Sequence, residues 1–301
     1  MLLLQAAEVE RWLEPAGLES VMREALMALS SGRAAAPPRI AARSPLGLLA
    51  AMPGHAAGVL GAKLVTVFPG NGARGLPGHQ ALIALFDEDT GEPLALLDGT
   101  AITAWRTAAV SAAATRALAR RQSRVLAILG TGVQAEAHAR ALRMVFPFTE
   151  VRVAGRTPAR VEQCAAAWGA RAAPSFEAAV RGADVICACT HAAEPVVRRE
   201  WLAPGAHVNS IGIGGCELDR GTLTAGLLAV EAVTAFEPFP IGAYDLQGMD
   251  ASSGVELGAI LAGVAAGRAG EEQITAFKSV GHAVEDVAAA AWVWQRARML
   301  G

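Results

Sequence analysis

The sequence predicts an α/β protein in two parts: a doubly wound parallel sheet, and a discontinuous α+β body built from the start and the end of the chain. Three observations carry this expectation. The 301 residues are enough for two domains. The first third mixes helical periodicity with short apolar runs separated by turn residues. From Arg124 onward, strand-like runs alternate with helical stretches, which is the rhythm of a parallel sheet covered by helices on both faces.

Two helices open the chain, because Val9, Trp12 and Leu13, then Leu18, Val21, Met22, Ala25, Leu26 and Leu29, follow helical spacing. Pro37-Pro38 ends that pattern. Short apolar runs follow at Leu48–Met52, Lys63–Phe68, Ala81–Phe86 and Pro93–Leu97. Asp89-Thr90-Gly91 reads as a hairpin turn between the last two, so this sheet is mainly antiparallel. Thr107–Arg120 is rich in alanine and free of glycine and proline, hence a helix. Later strands are expected at Arg124–Leu129, Val151–Ala154, Ala183–Cys189, Ala206–Ile211, Leu227–Val233 and Ile274–Phe277. His282–Met299 is a last helix expected to rejoin the first domain.

Composition excludes several classes. At 53% hydrophobic and 18% charged, the chain suits a large core and not a disordered ensemble. With 26 basic and 28 acidic residues the net charge is -2, so neither nucleic acid nor an anionic membrane is an expected partner. An anionic ligand must instead meet a local cluster of cations. No apolar run approaches the ~18 residues of a spanning helix. The start, Met1-Leu2-Leu3-Leu4-Gln5, has no basic n-region, and a cytoplasmic location is expected.

Cys164, Cys187, Cys189 and Cys216 form no C-x-x-C pair with zinc spacing. His55, His79, His138, His191, His207 and His282 are scattered, and no metal site is expected. Cys187 and Cys189 share one face of a strand and read as small buried side chains. Cys216, after Gly214-Gly215, is expected nearer the surface, with nothing around it to activate a thiolate. There is no G-x-S-x-G elbow and no H-E-x-x-H.

Chemistry enters with Gly130-Thr131-Gly132-Val133-Gln134-Ala135, a G-x-G-x-x-A loop between an apolar run and a helical pattern. Gly130 permits a tight turn, Gly132 lets a pyrophosphate approach the backbone, and Ala135 lets the helix lie close to the strand. The helix N-terminus offers free N–H groups and a positive dipole end to phosphates. This is a Rossmann-type unit for a nicotinamide dinucleotide. The next strand ends in Gly155-Arg156-Thr157, where an NAD-preferring site usually carries an acid for the ribose 2′-hydroxyl. Arg156 can instead pair with a 2′-phosphate, helped by Thr157 and Arg160. NADPH is therefore the expected cofactor, with NADH the alternative.

Several segments together resemble one family. They are Gly61-Ala62-Lys63-Leu64-Val65 with Pro69-Gly70-Asn71, Thr103-Ala104-Trp105-Arg106-Thr107-Ala108-Ala109, the loop above, Pro204–Gly212, and Phe277-Lys278-Ser279-Val280-Gly281 running to Glu285-Asp286. Their order over nearly the whole chain is similar to the ornithine cyclodeaminase/mu-crystallin family. The resemblance implies a substrate-binding and dimerisation domain at 1–107 with 282–301, a Rossmann domain at 108–281, and a homodimer. It implies that Arg39, Lys63 and Arg106 hold the substrate carboxylate, with Lys63 and Arg106 as the catalytic residues. It also implies further cofactor contacts at Thr107, Thr190, Ile211 and Ser279, beside Gly130, Thr131, Gly132, Val133, Gln134, Arg156 and Thr157.

One departure weighs against one of the activities within that family. Its cyclodeaminases carry an aspartate shortly after the Asn-x-x-Gly strand, proposed to handle the amine proton. Here Ile211-Gly212-Ile213-Gly214-Gly215-Cys216-Glu217 is shortened, and glycine takes the acid's place. Glu217 and Asp219 match the family's later Glu-Leu-Asp and are not read as replacements. The expected reaction is hydride transfer to a pre-formed C=N bond. A cyclic 2-imino acid, Δ1-pyrroline-2-carboxylate or Δ1-piperideine-2-carboxylate, would give proline or pipecolate. Lys63 is the candidate proton donor to the imine nitrogen. The alternatives are an ornithine cyclodeaminase, an alanine dehydrogenase-like enzyme, or a cofactor-bearing binding protein. Glu231 is weighed as a cleft residue and favoured as a structural one.

Overall fold

A computed structural model describes residues 1–300 and divides them into two compact units. One is Met1–Arg106 together with the segment from His282 onward, and the other is Thr107–Gly281.

In the first unit, β1 (Leu2–Leu4), α1 (Ala6–Trp12) and α2 (Pro15–Ser30) precede β2 (Ile40–Arg43), β3 (Leu48–Ala56), β4 (Val59–Val67), β5 (His79–Asp87) and β6 (Pro93–Asp98). Among the described residues these strands form a six-stranded sheet ordered β1-β6-β5-β4-β3-β2, antiparallel except that β1 runs parallel to β6. β3 and β4 are longer than their apolar runs because a two-residue turn joins them. Ala57 and Gly58 sit at φ 53 and 75, the conformation a tight hairpin needs. Lys63 therefore lies in the middle of β4, not at the start of a strand. The glycines at 54, 58 and 61 break up the apolar pattern and hid this hairpin. β1 and β2 also escaped the sequence reading, the first being three residues long and the second exposed along its whole length.

Alternation divides this sheet into two faces. Val59, Lys63 and Val65 of β4 and Ala81, Ile83 and Leu85 of β5 point inward. Leu49, Leu60, Leu64 and Leu82 point outward and are exposed, with Leu64 directly opposite Leu82. After β6 comes α3 (Gly99–Leu118), which starts earlier than its alanine-rich stretch because Asp98 Oδ1 accepts the Thr100 N–H at 2.9 Å. Arg106 is thus inside this helix and not ahead of it.

The second unit holds β7 (Val125–Leu129), α4 (Val133–Val145), β8 (Glu150–Ala154), α5 (Pro158–Trp168), β9 (Arg171–Ala172), α6 (Phe176–Val180), β10 (Val185–Ala188) and β11 (His207–Ser210). It continues with α7 (Arg220–Leu223), β12 (Leu227–Val230), β13 (Gly254–Glu256), α8 (Leu257–Leu261) and β14 (Thr275–Lys278). The eight-stranded sheet among the described residues is parallel throughout and ordered β13-β12-β14-β11-β10-β7-β8-β9. β7 and β10 are continuously apolar and almost wholly buried, as a sheet covered on both faces requires. The order reverses between β7 and β10, which is the switch point where such sheets bind ligands at their carboxyl ends.

The last helix, α9 (Ala283–Leu300), belongs to the first unit and lies against β3 and β4. Small residues set the approach: a Cβ at Gly61 would stand 2.9 Å from Val287 Cγ2, and one at Gly54 would stand 3.3 Å from Ala283 Cβ. That closeness brings Glu285 and Asp286, in the first turn of α9, into the buried side of the sheet.

Candidate active site

In the first unit, β4 presents Lys63, α3 presents Arg106 and α9 presents Glu285 and Asp286 to one buried spot. Lys63 is 2% exposed and Arg106 5%, and both acids are fully buried. Lys63 Nζ donates to Asp286 Oδ1 at 3.0 Å, and Arg106 Nε donates to the same oxygen at 2.9 Å. Arg106 Nη1 donates to Glu285 Oε2 at 2.6 Å. The other Asp286 oxygen, Oδ2, is buried and makes no hydrogen bond among the described residues. His282, just ahead of α9, holds its Nδ1 in the same condition.

Electrostatics follow from this packing. Burial is the largest influence on Lys63. Asp286 opposes it, Arg106 and Arg39 reinforce it, and the ammonium pKa comes down to about 8. Burial also disfavours the Asp286 carboxylate, but Arg106 and Lys63 outweigh it and hold the group below the ordinary range. Burial, with Arg39 and Arg106, brings His282 down to about 4, so its imidazole is neutral at pH 7. Three cationic side chains, Arg39, Lys63 and Arg106, thus act on a spot that supplies two carboxylates of its own. Arg39 is half-buried, just before β2.

In the second unit, the loop after β7 has the form its glycines suggest. Gly130 adopts φ 126, and a Cβ there would stand 2.5 Å from the carbonyl oxygen of Cys189, so no other residue fits. A Cβ at Gly132 would meet no protein atom within 4 Å. Packing does not explain glycine there, whereas close approach of a ligand does. Gly132 is the N-cap of α4 and no side chain caps it, so the first N–H groups of this 13-residue helix face outward. Thr131 and Gln134 are half-buried and Val133 is exposed. Arg156 and Thr157 are exposed beyond β8, with Thr157 as the N-cap of α5. Thr190, Ile211 and Ser279 follow the carboxyl ends of β10, β11 and β14, while Thr107 is buried in α3. The residues fit a dinucleotide phosphate by backbone geometry, not by side-chain charge.

The comparisons with known proteins agree with this geometry. The ornithine cyclodeaminase/mu-crystallin family model matches residues 1–300. The chain belongs to that family. It is 41% identical over 255 residues to a mouse (Mus musculus) protein named ketimine reductase mu-crystallin, covering 82% of this chain and 80% of the relative. The solved structure of Thermococcus litoralis Δ1-pyrroline-2-carboxylate reductase, in complex with NADH and L-proline, matches with a TM-score of 0.91 at 32% identity. That match covers 99% of this chain and 98% of the other. An archaeal alanine dehydrogenase dimer with bound NAD matches with a TM-score of 0.89 at 33% identity, covering 99% of this chain and 96% of the other.

For this family member, the residues that sequence reasoning missed are mainly the anchors of the site. Glu217 is fully buried and accepts five hydrogen bonds. Oε1 takes Thr190 N at 2.5 Å and Thr190 Oγ1 at 2.8 Å; Oε2 takes Ser210 Oγ at 2.8 Å, Ile211 N at 3.0 Å and Gly212 N at 2.7 Å. It ties together the loops that leave β10 and β11. Gly212 lies so close that a Cβ there would stand 2.8 Å from Glu217 Cδ. Lys278 is also fully buried and donates to Asp245 Oδ2 and Ser210 Oγ, each at 2.9 Å, and to the Gly212 carbonyl. Glu231, favoured from the sequence as a structural residue, accepts from Ser279 Oγ at 2.5 Å and from the N–H groups of Val280 and Gly281, a clamp on the segment after β14. Buried acids and lysines inside apolar runs were the available signal.

Cys216 is the least buried of the four cysteines, and burial raises its thiol pKa, in keeping with a thiol that nothing activates. His138, scattered from the cysteines in the chain, meets Cys187 and Cys189 in space. Spacing rules detect ligands on one turn or loop, and these residues come from different elements. No helix among the described residues is long and apolar enough to cross a membrane.

Proposed function

We infer that this protein reduces a cyclic 2-imino acid, Δ1-pyrroline-2-carboxylate or Δ1-piperideine-2-carboxylate, to proline or pipecolate, as an NAD(P)H-dependent oxidoreductase. The observation that carries this reading is the buried Lys63–Arg106 pair sharing one oxygen of Asp286. With Arg39, the cluster is one positive charge in excess, which a single substrate carboxylate balances. Arg106 and Arg39 clamp that carboxylate, the guanidinium fork fixing its plane. The Lys63 ammonium, at a pKa of about 8, is mostly charged at neutral pH yet able to give up its proton. It keeps the imine nitrogen cationic as the carbon is reduced. The buried Asp286 Oδ2 is an acceptor suited to the N–H that results. When bound, the nicotinamide cofactor supplies the hydride.

NADPH is the proposed cofactor. Arg156 and Thr157 stand where an acid would select NAD, and Arg160 lines a cavity of about 390 Å³ beside Thr131 and Gly132. The residues assigned to the dinucleotide are Thr107, Gly130, Thr131, Gly132, Val133, Gln134, Arg156, Thr157, Thr190, Ile211 and Ser279. A homodimer is also proposed, with the exposed face of Leu49, Leu60, Leu64 and Leu82 as its contact. Ornithine cyclodeamination is the weaker reading, because glycine stands where that reaction's aspartate is expected. The test is cofactor oxidation with cyclic imino acids, using the native enzyme and Arg106→Lys. The lysine keeps the charge and loses the fork, so kcat/KM should fall by roughly the 1.5–3 kcal/mol of a charged hydrogen bond. Unchanged kcat/KM would overturn the assignment of Arg106.

A further inference from the structure

Beneath the glycine loop lies a group of side chains that the reductase reading does not use. His138 comes from α4, Cys187 from β10, and Cys189 from the residue just beyond β10. His138 and Cys187 are fully buried and Cys189 is 9% exposed. One ligand atom from each lies within 4.8 Å of the other two. The two sulfurs are 3.6 Å apart. Two thiolates on one tetrahedral zinc ion, with Zn–S bonds near 2.3 Å, stand about 3.8 Å apart. The strand therefore already holds its i and i+2 cysteines at close to the edge length of such a site.

The imidazole is prepared in the way that metal-binding histidines are. Its Nδ1 lies 2.7 Å from the carbonyl of Gln134, one turn earlier on the same helix. That contact places the proton on Nδ1 and leaves Nε2 unprotonated, the state a metal ligand requires. Ser111 Oγ lies 2.9 Å from Nε2 and its hydroxyl donates to that nitrogen, a hydrogen bond that an incoming ion replaces. Charge then selects the ion. Two thiolates and a neutral imidazole around a divalent cation make a neutral complex, which a fully buried position tolerates. A monovalent ion would leave one negative charge uncompensated there.

We propose that His138, Cys187 and Cys189 form a binding site for one thiophilic divalent cation of the zinc class, seated under the dinucleotide loop. On binding, both thiols release their protons to solvent, and two S–metal bonds and one N–metal bond form, with no change of oxidation state. The Cys189 carbonyl is the wall against which Gly130 turns, so a metal held there braces the loop from below. The inference is independent of which substrate the enzyme reduces.

The test is metal content and a cobalt spectrum on the full chain. Protein from zinc-supplemented cells, and protein refolded with Co2+, should each carry about one ion per chain, the cobalt form showing a thiolate charge-transfer band. Cys187→Ala/Cys189→Ala should lose the ion and the band, while Cys164→Ala/Cys216→Ala should keep both. The loaded native chain should also melt higher than the chelated one, a difference absent from the first variant. His138→Gln, which spares the strand, guards against a misfolded cysteine variant and should lose the band as well. A native chain without metal by both routes, or a Cys187→Ala/Cys189→Ala chain that keeps it, overturns the proposal.

Discussion

Lys63 is the residue on which the proposed chemistry turns, and its behaviour with pH can be worked out. Its pKa is lowered from 10.5 to about 8 by burial first, with Arg106 and Arg39 adding to the effect against Asp286. A proton donor must be charged, so kcat for imine reduction should be full below pH 8 and fall as pH rises through about 8. Lys63→Met should lower kcat and flatten that limb; a variant with the same alkaline limb as the native enzyme would assign the proton to another group. Arg156 governs cofactor choice in the same direct way. Arg156→Ala should raise KM for NADPH by the loss of one charge-assisted contact, about 1.5–3 kcal/mol, and leave KM for NADH nearly unchanged. Equal effects on both cofactors would contradict the assignment. Lys63 and Arg106 were singled out from the sequence. Asp286, which holds them, was not singled out as part of the site, because it is 223 residues from Lys63 along the chain. Only the packing of α9 on the sheet brings them together.

Among elements, legibility followed the strength of the local pattern. The G-x-G-x-x-A loop, its flanking strand and its helix were readable because each glycine has a steric reason that one sequence displays. The β3–β4 hairpin was not, since Gly54 and Gly61 serve the approach of α9, a partner distant in sequence. Glu217 belongs to this scale too, because it joins the loops after β10 and β11 through five accepted hydrogen bonds. Glu217→Gln keeps the shape but turns an amide NH2 toward donors. One or more buried donors then lack an acceptor, at about 1–3 kcal/mol each. Urea unfolding should show that loss of stability, and KM for the dinucleotide should rise about tenfold while kcat changes less. A larger fall in kcat than rise in KM would show that Glu217 acts on the reaction itself.

At the scale of the whole molecule, the fold class was legible because β-α alternation has few parallel-sheet solutions, and the order around β7 and β10 is the doubly wound one. A dimer was expected from the family resemblance alone, and the face proposed for it was not legible, because an outward leucine on an isolated strand looks like any surface residue until the register pairs Leu64 with Leu82. Leu64→Lys/Leu82→Lys should convert the proposed dimer into a folded monomer by light scattering; a native chain already monomeric at micromolar concentration would remove the dimer from the account. The central claim, direct reduction of a pre-formed cyclic C=N bond, is tested most directly with isotope. The protein is given Δ1-piperideine-2-carboxylate or Δ1-pyrroline-2-carboxylate with NADPH deuterated at the transferred position of the nicotinamide, and the product is analysed by mass spectrometry. The account predicts pipecolate or proline carrying one deuterium at C2, formed in step with cofactor oxidation. Release of ammonia from ornithine, with no deuterium transferred to either imino acid, would contradict it.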